Sequence, residues 1–514
     1  VTDTTAPTEG TPAQGLPAQG APDLPTKLDP RSARALILLI FAVFVVFLNE
    51  TMMGVAAPTI IADPGIDVTP AHGQWLTTAF ALTMAVVIPI TGWLLQVLNT
   101  RPVYIMAISI FTAGTLIAGF APGFEVLVAG RVVQAMGTAI MMPLMMTSVM
   151  TLVPAHLRGR IMGRVSLVMS LAPALGPVAG GLLLDAFDGY WRGLFFVMLP
   201  LSITVLVLGL LLVPNVTETR KLPLDALSLV LAAVGFSGVV YGLSSFGTAA
   251  EDGAVVSPWV PLAIGVVVLL AFGARQFALQ RRDAAFLDLR TFKAHSYSLA
   301  IVLMTLGTLT MFGLIIVMPI YLQYVLLADP SLIGAVVFPG ALLMGLLGPT
   351  VGRLFDRFGP RPLVIPGTVL ASAAAWTLLL VVNASTPIWL VGAVYTLLFL
   401  GFAFIFPPLF TVGLGALPYH LYSHGSAILA TIQQVAGAAG AAVFTALLTV
   451  GMAAYGSTDV TSGNVQGIVE GTRYALLGGA IASIGLVIAA LFIRRPIAPE
   501  ISEESLHVAE PVGH

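Results

Sequence analysis

The sequence predicts an all-α integral membrane protein with fourteen transmembrane helices, and three observations carry that expectation. Of its 514 residues, 58% are hydrophobic and only 9% are charged, whereas a soluble domain carries roughly 25% charged residues. The stretch Pro362–Thr458 contains no Asp, Glu, Lys or Arg and is several times the ~20 residues that one crossing needs. Apolar runs of membrane length also recur along the whole chain, broken by charges or by Gly, Pro and Asn clusters. In lipid each run must satisfy its own backbone hydrogen bonds, so each is predicted as a helix; the short alternating segments of a β-barrel do not occur.

In chain order, residues 1–34 open as a Pro-, Thr-, Ala- and Gly-rich tail with neither a basic start nor an apolar core, so no cleavable signal peptide is expected. Such a segment buries too little apolar surface to offset its ordering entropy and is predicted disordered. Six spans follow, at 35–60, 75–98, 102–121, 124–149, 161–185 and 193–213. Two more, at 225–246 and 258–278, lie between Arg220-Lys221 and the basic linker that ends at Lys293. The last six are 298–324, 332–352, 362–382, 388–412, 424–450 and 472–493, before an acidic tail at 496–514. The expected domains are therefore a bundle at 35–213, two extra helices and a linker at 214–295, and a second bundle at 296–495.

Charge placement orients the chain. Lys27, Arg31, Arg34, Arg101, Arg158, Arg160, Arg164, Arg220, Lys221, Arg275, Arg281, Arg282, Arg290, Lys293, Arg353, Arg357, Arg361, Arg494 and Arg495 fall in the tails or in every second loop. Asp63, Asp67, Glu251, Asp252, Asp329 and Asp459 occupy the opposite loops. The positive-inside rule then puts both termini in the cytoplasm, which an even number of spans requires. Only Arg131, Arg192 and Arg473 depart from the pattern.

An internal repeat supports the six, two, six plan. Gly352, Asp356 and Arg361, after span 10, align with Gly92, Gln96 and Arg101, after span 2, at an offset of 260 residues. Both segments are read as loops on the same side, so the repeat is parallel.

Glu50 is the only carboxylate inside an otherwise uncharged span, some fifteen residues from its start and so roughly 22 Å deep. An ionised carboxylate there is costly, and intramembrane acids mark ion or proton pathways. Glu50 reads either as a group that exchanges a proton in a cavity or as a permanently protonated or paired structural residue. Arg131, early in span 4, continues as a polar stripe through Gln134 and Thr138. It reads as a fixed positive charge beside an acid, or as an arginine snorkelling to the interface. In span 5, Pro173 and Pro177 bend the helix, while Gly176, Gly180 and Gly181 allow close backbone contact. That segment is either a deformable seam or a simple packing site.

The remaining candidates are weaker. Asp356, with Arg357 and Arg361 around Gly359, reads as a charge cluster latching helices on the cytoplasmic side, or as an ordinary basic loop. Asn49, Thr51, Trp75, Phe80, Tyr321, Tyr324, Gln433 and Gln434 are candidate cavity residues, although interfacial anchoring explains Trp and Tyr at span ends equally well. His420 and His424 fall in a predicted loop with no carboxylate partner, and no metal site or cofactor is expected.

Several chemistries are excluded. The chain has no cysteine, so disulfides and thiolate chemistry are ruled out. None of Lys27, Lys221 and Lys293 follows a glycine, so there is no P-loop, and no hydrolase or metalloprotease motif occurs. With a net charge of −2 and no basic run, nucleic acid is not an expected partner.

These residues resemble the major facilitator superfamily over roughly 35–495, and within it the fourteen-helix drug:proton antiporter branch. Gly352–Arg361 looks like its cytoplasmic loop motif, and Arg131-Val-Val-Gln134-Ala-Met-Gly137 resembles its span-4 motif, implicated in proton coupling. Gly176–Gly181 resembles the antiporter motif of span 5, and Leu48–Thr51 with Ala56-Ala57-Pro58 is similar to the span-1 motif. Phe47–Thr51, Gln74–Thr78 and Ser423–Ala427 look most like the lincomycin-resistance type of multidrug exporter. The chain departs from the pattern at Asn49, where many relatives carry Asp, and at Gln96, which replaces the loop Asp. The resemblance implies two pseudo-symmetric six-helix bundles, a central cavity and alternating access. It also implies proton-coupled efflux of small lipophilic compounds by a plasma-membrane monomer; the alternatives are a dedicated exporter of one native metabolite, lipid precursor or siderophore, and, further off, a non-transporting membrane receptor or enzyme.

Overall fold

A computed structural model describes residues 28–66, 68, 73, 75–215, 219, 225–245, 257–282, 284–456, 460 and 463–494. The tail at 496–514, residues 1–27 of the other tail, and Asp67, Gln74, Arg220, Lys221, Glu251, Asp252, Asp459 and Arg495 lie outside these residues. Among the described residues there are fourteen helices long and apolar enough to cross a membrane, and no strand. They are α1 (Pro30–Ile61), α2 (Trp75–Val97), α3 (Thr100–Gly119), α4 (Phe124–Leu152), α5 (Arg158–Ala186), α6 (Arg192–Leu212) and α7 (Ala226–Ser245). The remainder are α8 (Trp259–Leu279), α9 (His295–Tyr324), α10 (Pro330–Phe358), α11 (Arg361–Val381), α12 (Ile388–Gly415), α13 (Tyr422–Ala453) and α14 (Val465–Leu491).

Four of the boundaries that differ from the sequence expectation have an identifiable cause or place a candidate residue. Residues 30–34, expected within a disordered tail, already belong to α1. Asp29 caps that helix, its Oδ2 accepting from the N–H groups of Arg31 (3.0 Å) and Ser32 (3.2 Å), and Pro30 supplies a pre-set φ in the first turn. The segment Gly352–Phe358 is the last two turns of α10 rather than a loop; Gly359, at φ +83°, ends the helix. His424 lies in the first turn of α13, not in a loop. Finally, α14 begins at Val465, seven residues before the expected start, because Glu470 and Arg473 pair at 2.8 Å one helical turn apart and so ride inside the helix.

Helices α1–α6 pack mainly among themselves, as do α9–α14. Tyr104 of α3 donates to the Val205 carbonyl of α6 (2.9 Å), and Gly114 of α3 admits the backbone of α4 at Gly130 and Gln134. The bundles meet along two seams, α5 against α10 and α2 against α13. The contacts across them cluster at the end of the molecule that carries Arg158, Arg160, Arg353 and Arg357, here termed the basic end. There Gly159 and Gly163 face Gly348 and Gly352 backbone to backbone. Thr147 of α4 and Ser426 of α13 share a hydrogen bond of 2.7 Å, and the Arg158 guanidinium lies 5.5 Å from the Tyr422 ring centre. Towards the opposite end α5 turns to α1 at Thr51 and Met52, and α10 turns to α12 at Thr396 and Phe399. The bundles are thus closed together at the basic end.

The accessory pair is asymmetric in its contacts. Helices α7 and α8 pack tightly at Gly235, Gly238, Gly242 and Gly265. Helix α7 also packs on both α2 and α13, whereas α8 leans on α7 and leaves Trp259, Val267 and Leu270 exposed.

Candidate functional site

The deepest polar cluster lies in the first bundle. Arg131 is 1% exposed, an arrangement tolerated only when its hydrogen bonds are met by protein groups. It donates to Gln134 Oε1 at 2.8 Å and to Asn49 Oδ1 at 3.4 Å, and Gln134 Nε2 donates in turn to Thr115 Oγ1 at 2.8 Å. The Phe80 ring covers the guanidinium at 4.3 Å. Three helices of the bundle, α1, α3 and α4, are tied into this one network, with α2 stacked over it. Arg131 therefore does not snorkel: its i+3 neighbour Gln134 and the α1 residue Asn49 hold it inside.

Glu50 is one residue from Asn49 and so turned ~100° around α1. Its Oε2 is buried without a hydrogen-bond partner, and the nearby Arg131 acts on the carboxylate through space. Arg131 Nε is likewise buried and unpaired. The neutral Asn49 takes the hydrogen bond of the arginine and the acid is left unbonded. The arrangement sets a buried guanidinium beside a carboxyl oxygen that no hydrogen bond satisfies.

Other candidates divide between this cluster and separate roles. The Thr51 hydroxyl is engaged by carbonyls of Phe47 (3.0 Å), Leu48 (3.2 Å) and Ala172 (3.2 Å), where Gly176 of α5 presses against it. Thr51 is thus a contact between α1 and α5. Gly180 approaches Met52 in the same groove, while nothing lies within 4 Å of the position a Gly181 side chain would take. Pro173 and Pro177 lie inside α5. Trp75 is 41% exposed and stacks on Tyr241 of α7 at 6.1 Å. Tyr321 is fully buried and donates to the Asn383 carbonyl (2.7 Å), tying α9 to the turn after α11. Tyr324, Gln433 and Gln434 are half-buried in the second bundle.

At the basic end, Asp356 does not form a cluster with Arg357 and Arg361. Its Oδ1 accepts from the Gly159 N–H (2.8 Å) and its Oδ2 from the Arg160 N–H (2.7 Å), so it caps α5 of the other bundle. Arg357 points along Phe358 (5.0 Å), and Arg361 donates to the Ile493 carbonyl (2.7 Å). In the first repeat Gln96 donates to its own Gly92 carbonyl (2.8 Å), and Arg101 to the Leu210 carbonyl (2.6 Å). At the opposite end, Asp63 accepts from Trp191 Nε1 (2.7 Å) and Arg192 (3.4 Å), and the Trp191 bond leads in holding its carboxyl below the usual range.

Sequence reasoning missed Thr115, the end of the Arg131 network, and the setting of His424. A signal for the latter exists: Pro418-Tyr-His-Leu421 repeats Pro154-Ala-His-Leu157, and each forms a short 3₁₀ turn leading into α13 or α5.

Two six-helix bundles joined by an accessory pair of hydrophobic helices, with a charged network buried inside the first bundle, define a polytopic membrane transporter. The sequence profile of the Major Facilitator Superfamily matches residues 39–441, and the chain belongs to that family. It is 37% identical over 462 residues to an uncharacterized MFS-type transporter, YcnB, of Bacillus subtilis, covering 90% of this chain and 95% of that one. It is 34% identical to the lincomycin resistance protein LmrB of the same organism, again covering 90% and 95%. Among solved structures, the proton:xylose symporter XylE shares the fold, with a TM-score of 0.61 at 14% identity over 90% of this chain and 96% of that one. The chain is a multi-pass membrane transporter and not an enzyme.

Proposed function

We propose that the protein is a proton-coupled exporter of small lipophilic compounds, working by alternating access in the plasma membrane with its basic end in the cytoplasm. The observation that carries this reading is Glu50: a buried carboxylate oxygen without a hydrogen-bond partner, beside an arginine whose own bonds go to neutral groups. An acid left unbonded in a membrane interior has a choice between two protonation states, and intramembrane acids of this kind serve as proton sites. The alternative of a structural Glu50 locked to Arg131 is disfavoured, since Arg131 donates to Asn49 and Gln134 instead. The similarity to a lincomycin resistance protein supports export of foreign compounds, and the positive-inside distribution of Lys and Arg supports the orientation. In the closed-inside form the site faces outward, where protonation of Glu50 favours release of cargo. Return to the cytoplasmic side discharges the proton and readmits cargo.

Everted membrane vesicles test the assignment. Wild-type protein is expected to accumulate a lipophilic dye in a proton-gradient-dependent manner and to move protons when drug is added. Glu50→Gln should reduce both signals to background while the protein remains in the membrane. Coupled efflux that survives Glu50→Gln would remove the acid from the mechanism, and dye transport indifferent to an uncoupler would remove the proton.

A further inference from the structure

The two seams between the bundles are closed in different ways. At α5/α10, glycines bring the backbones together and Asp356 caps the facing helix. At α2/α13 the equivalent residue is Gln96, which bonds within its own helix and reaches nothing across. What occupies that seam is the linker from α8 to α9. Its residues Ala285, Phe286, Leu287 and Asp288 are all at most 5% exposed, an unusual degree of burial for a connection that runs at a membrane surface.

The linker is held from three sides. Leu287 Cδ2 and the Phe286 carbonyl lie 3.1 and 3.6 Å from the position a Gly92 side chain would take, with Ala427 of α13 at 3.2 Å from the same point. From α8, Gln276 Oε1 accepts from the N–H groups of Phe286 (2.7 Å) and Leu287 (3.1 Å), and its Nε2 donates to Ser228 of α7 (2.8 Å). From α13, His424 Nδ1 accepts from the Asp288 N–H (3.2 Å), and the Asp288 carboxylate is held by Arg290 (2.6 Å). A residue of the first bundle, one of the second and one of the accessory pair thus converge on four linker residues.

We propose that the linker Ala285–Asp288 is the second latch of the inner gate, with His424 and Gln276 as its positioning residues. The accessory pair then takes part in the transport cycle, because α2 and α13 cannot part at the basic end while Leu287 fills the space over Gly92 and Asp288 remains bonded to His424. This rests on alternating access but not on proton coupling, so it stands or falls separately from the role of Glu50.

The absence of native cysteine makes the test direct. Ala427→Cys is buried in the seam, and its labelling by a membrane-impermeant maleimide in nanodiscs reports opening of the basic end. His424→Leu, which removes the acceptor, should raise the labelling rate roughly five- to tenfold, as should Gln276→Leu. His424→Asn, which keeps an acceptor at the δ position, should return the rate to that of the parent. A monodisperse His424→Leu protein with an unchanged rate overturns the proposal, as does failure of His424→Asn to restore it. Independently, Gly92→Cys with Leu287→Cys should be joined by a short bifunctional thiosulfonate, and joining should stop dye transport until a reductant is added. Full transport by the joined protein, or no joining, overturns the proposal.

Discussion

Asp225 stands one residue ahead of α7 and holds Arg275 of α8 through both oxygens at 2.7 Å. That bidentate bond leads in lowering its carboxyl from an ordinary 3.8 to about 2. A depressed carboxyl contributes stability above its unfolded value, and the contribution is lost as pH falls towards the folded one. Asp225→Asn is therefore expected to lower the thermal midpoint of the detergent-purified protein slightly at pH 7, within the range of an exposed pair. The difference from wild type should shrink as pH falls from 5 towards 2. Asp288 is similarly placed outside the helices: burial opposes its ionisation, but the Arg290 bonds win and hold it below the usual range.

The character of the residues around Arg131 was legible from spacing, since Gln134 lies one turn along the same helix. Thr51 and Tyr321 were not. Beyond its own helix the Thr51 hydroxyl reaches the Ala172 carbonyl, and Tyr321 reaches that of Asn383, and neither of these carbonyls can be located before the helices are packed.

At the level of the helices, the seam of α5 and α10 depends on the lack of side chains. A Cβ on Gly163 would strike the Gly348 carbonyl and lie 2.9 Å from Pro349 Cα, both backbone atoms that no rotamer change can move. Gly163→Val should hold the bundles apart at the basic end and cost about 1–3 kcal/mol of stability. Membrane insertion without dye transport, together with lower thermal stability, is the expected result; a transporting variant would show that the seam need not close. Hydropathy alone displayed all fourteen helices because each crossing is dictated by the same solvent. It misplaced the ends where charges are paired or used across helices: Glu470 with Arg473 inside α14, and Asp356 at the end of α10. His424 was misread for a related reason, because the polar run Tyr419–His424 resembles a loop until the buried linker is seen beside it.

Across the molecule, the closed basic end is stabilised by Asp356 on one seam. Asp356→Ala removes two charge-assisted hydrogen bonds, each of a type worth about 1.5–3 kcal/mol. The closed-to-open ratio should fall by an order of magnitude or more. Spin labels at Arg164 and Arg357, both exposed on opposite sides of this seam, should then show a longer distance component that wild type lacks. An unchanged distance distribution would mean that glycine packing alone keeps the seam shut.

The way Arg131 is satisfied has an electrical consequence. Because Asn49 and Gln134 are neutral, the guanidinium charge is cancelled by Glu50 or by nothing. On the proposed mechanism the centre of the first bundle alternates between no net charge and one positive charge. A monovalent cationic cargo exchanged for one proton then moves no net charge across the bilayer and gains nothing from the resting voltage. An uncharged cargo leaves with the full ~2.3 kcal/mol per 100 mV behind it. The same pump would concentrate neutral molecules more steeply in well-energised cells, while its export of cations would follow the pH difference alone.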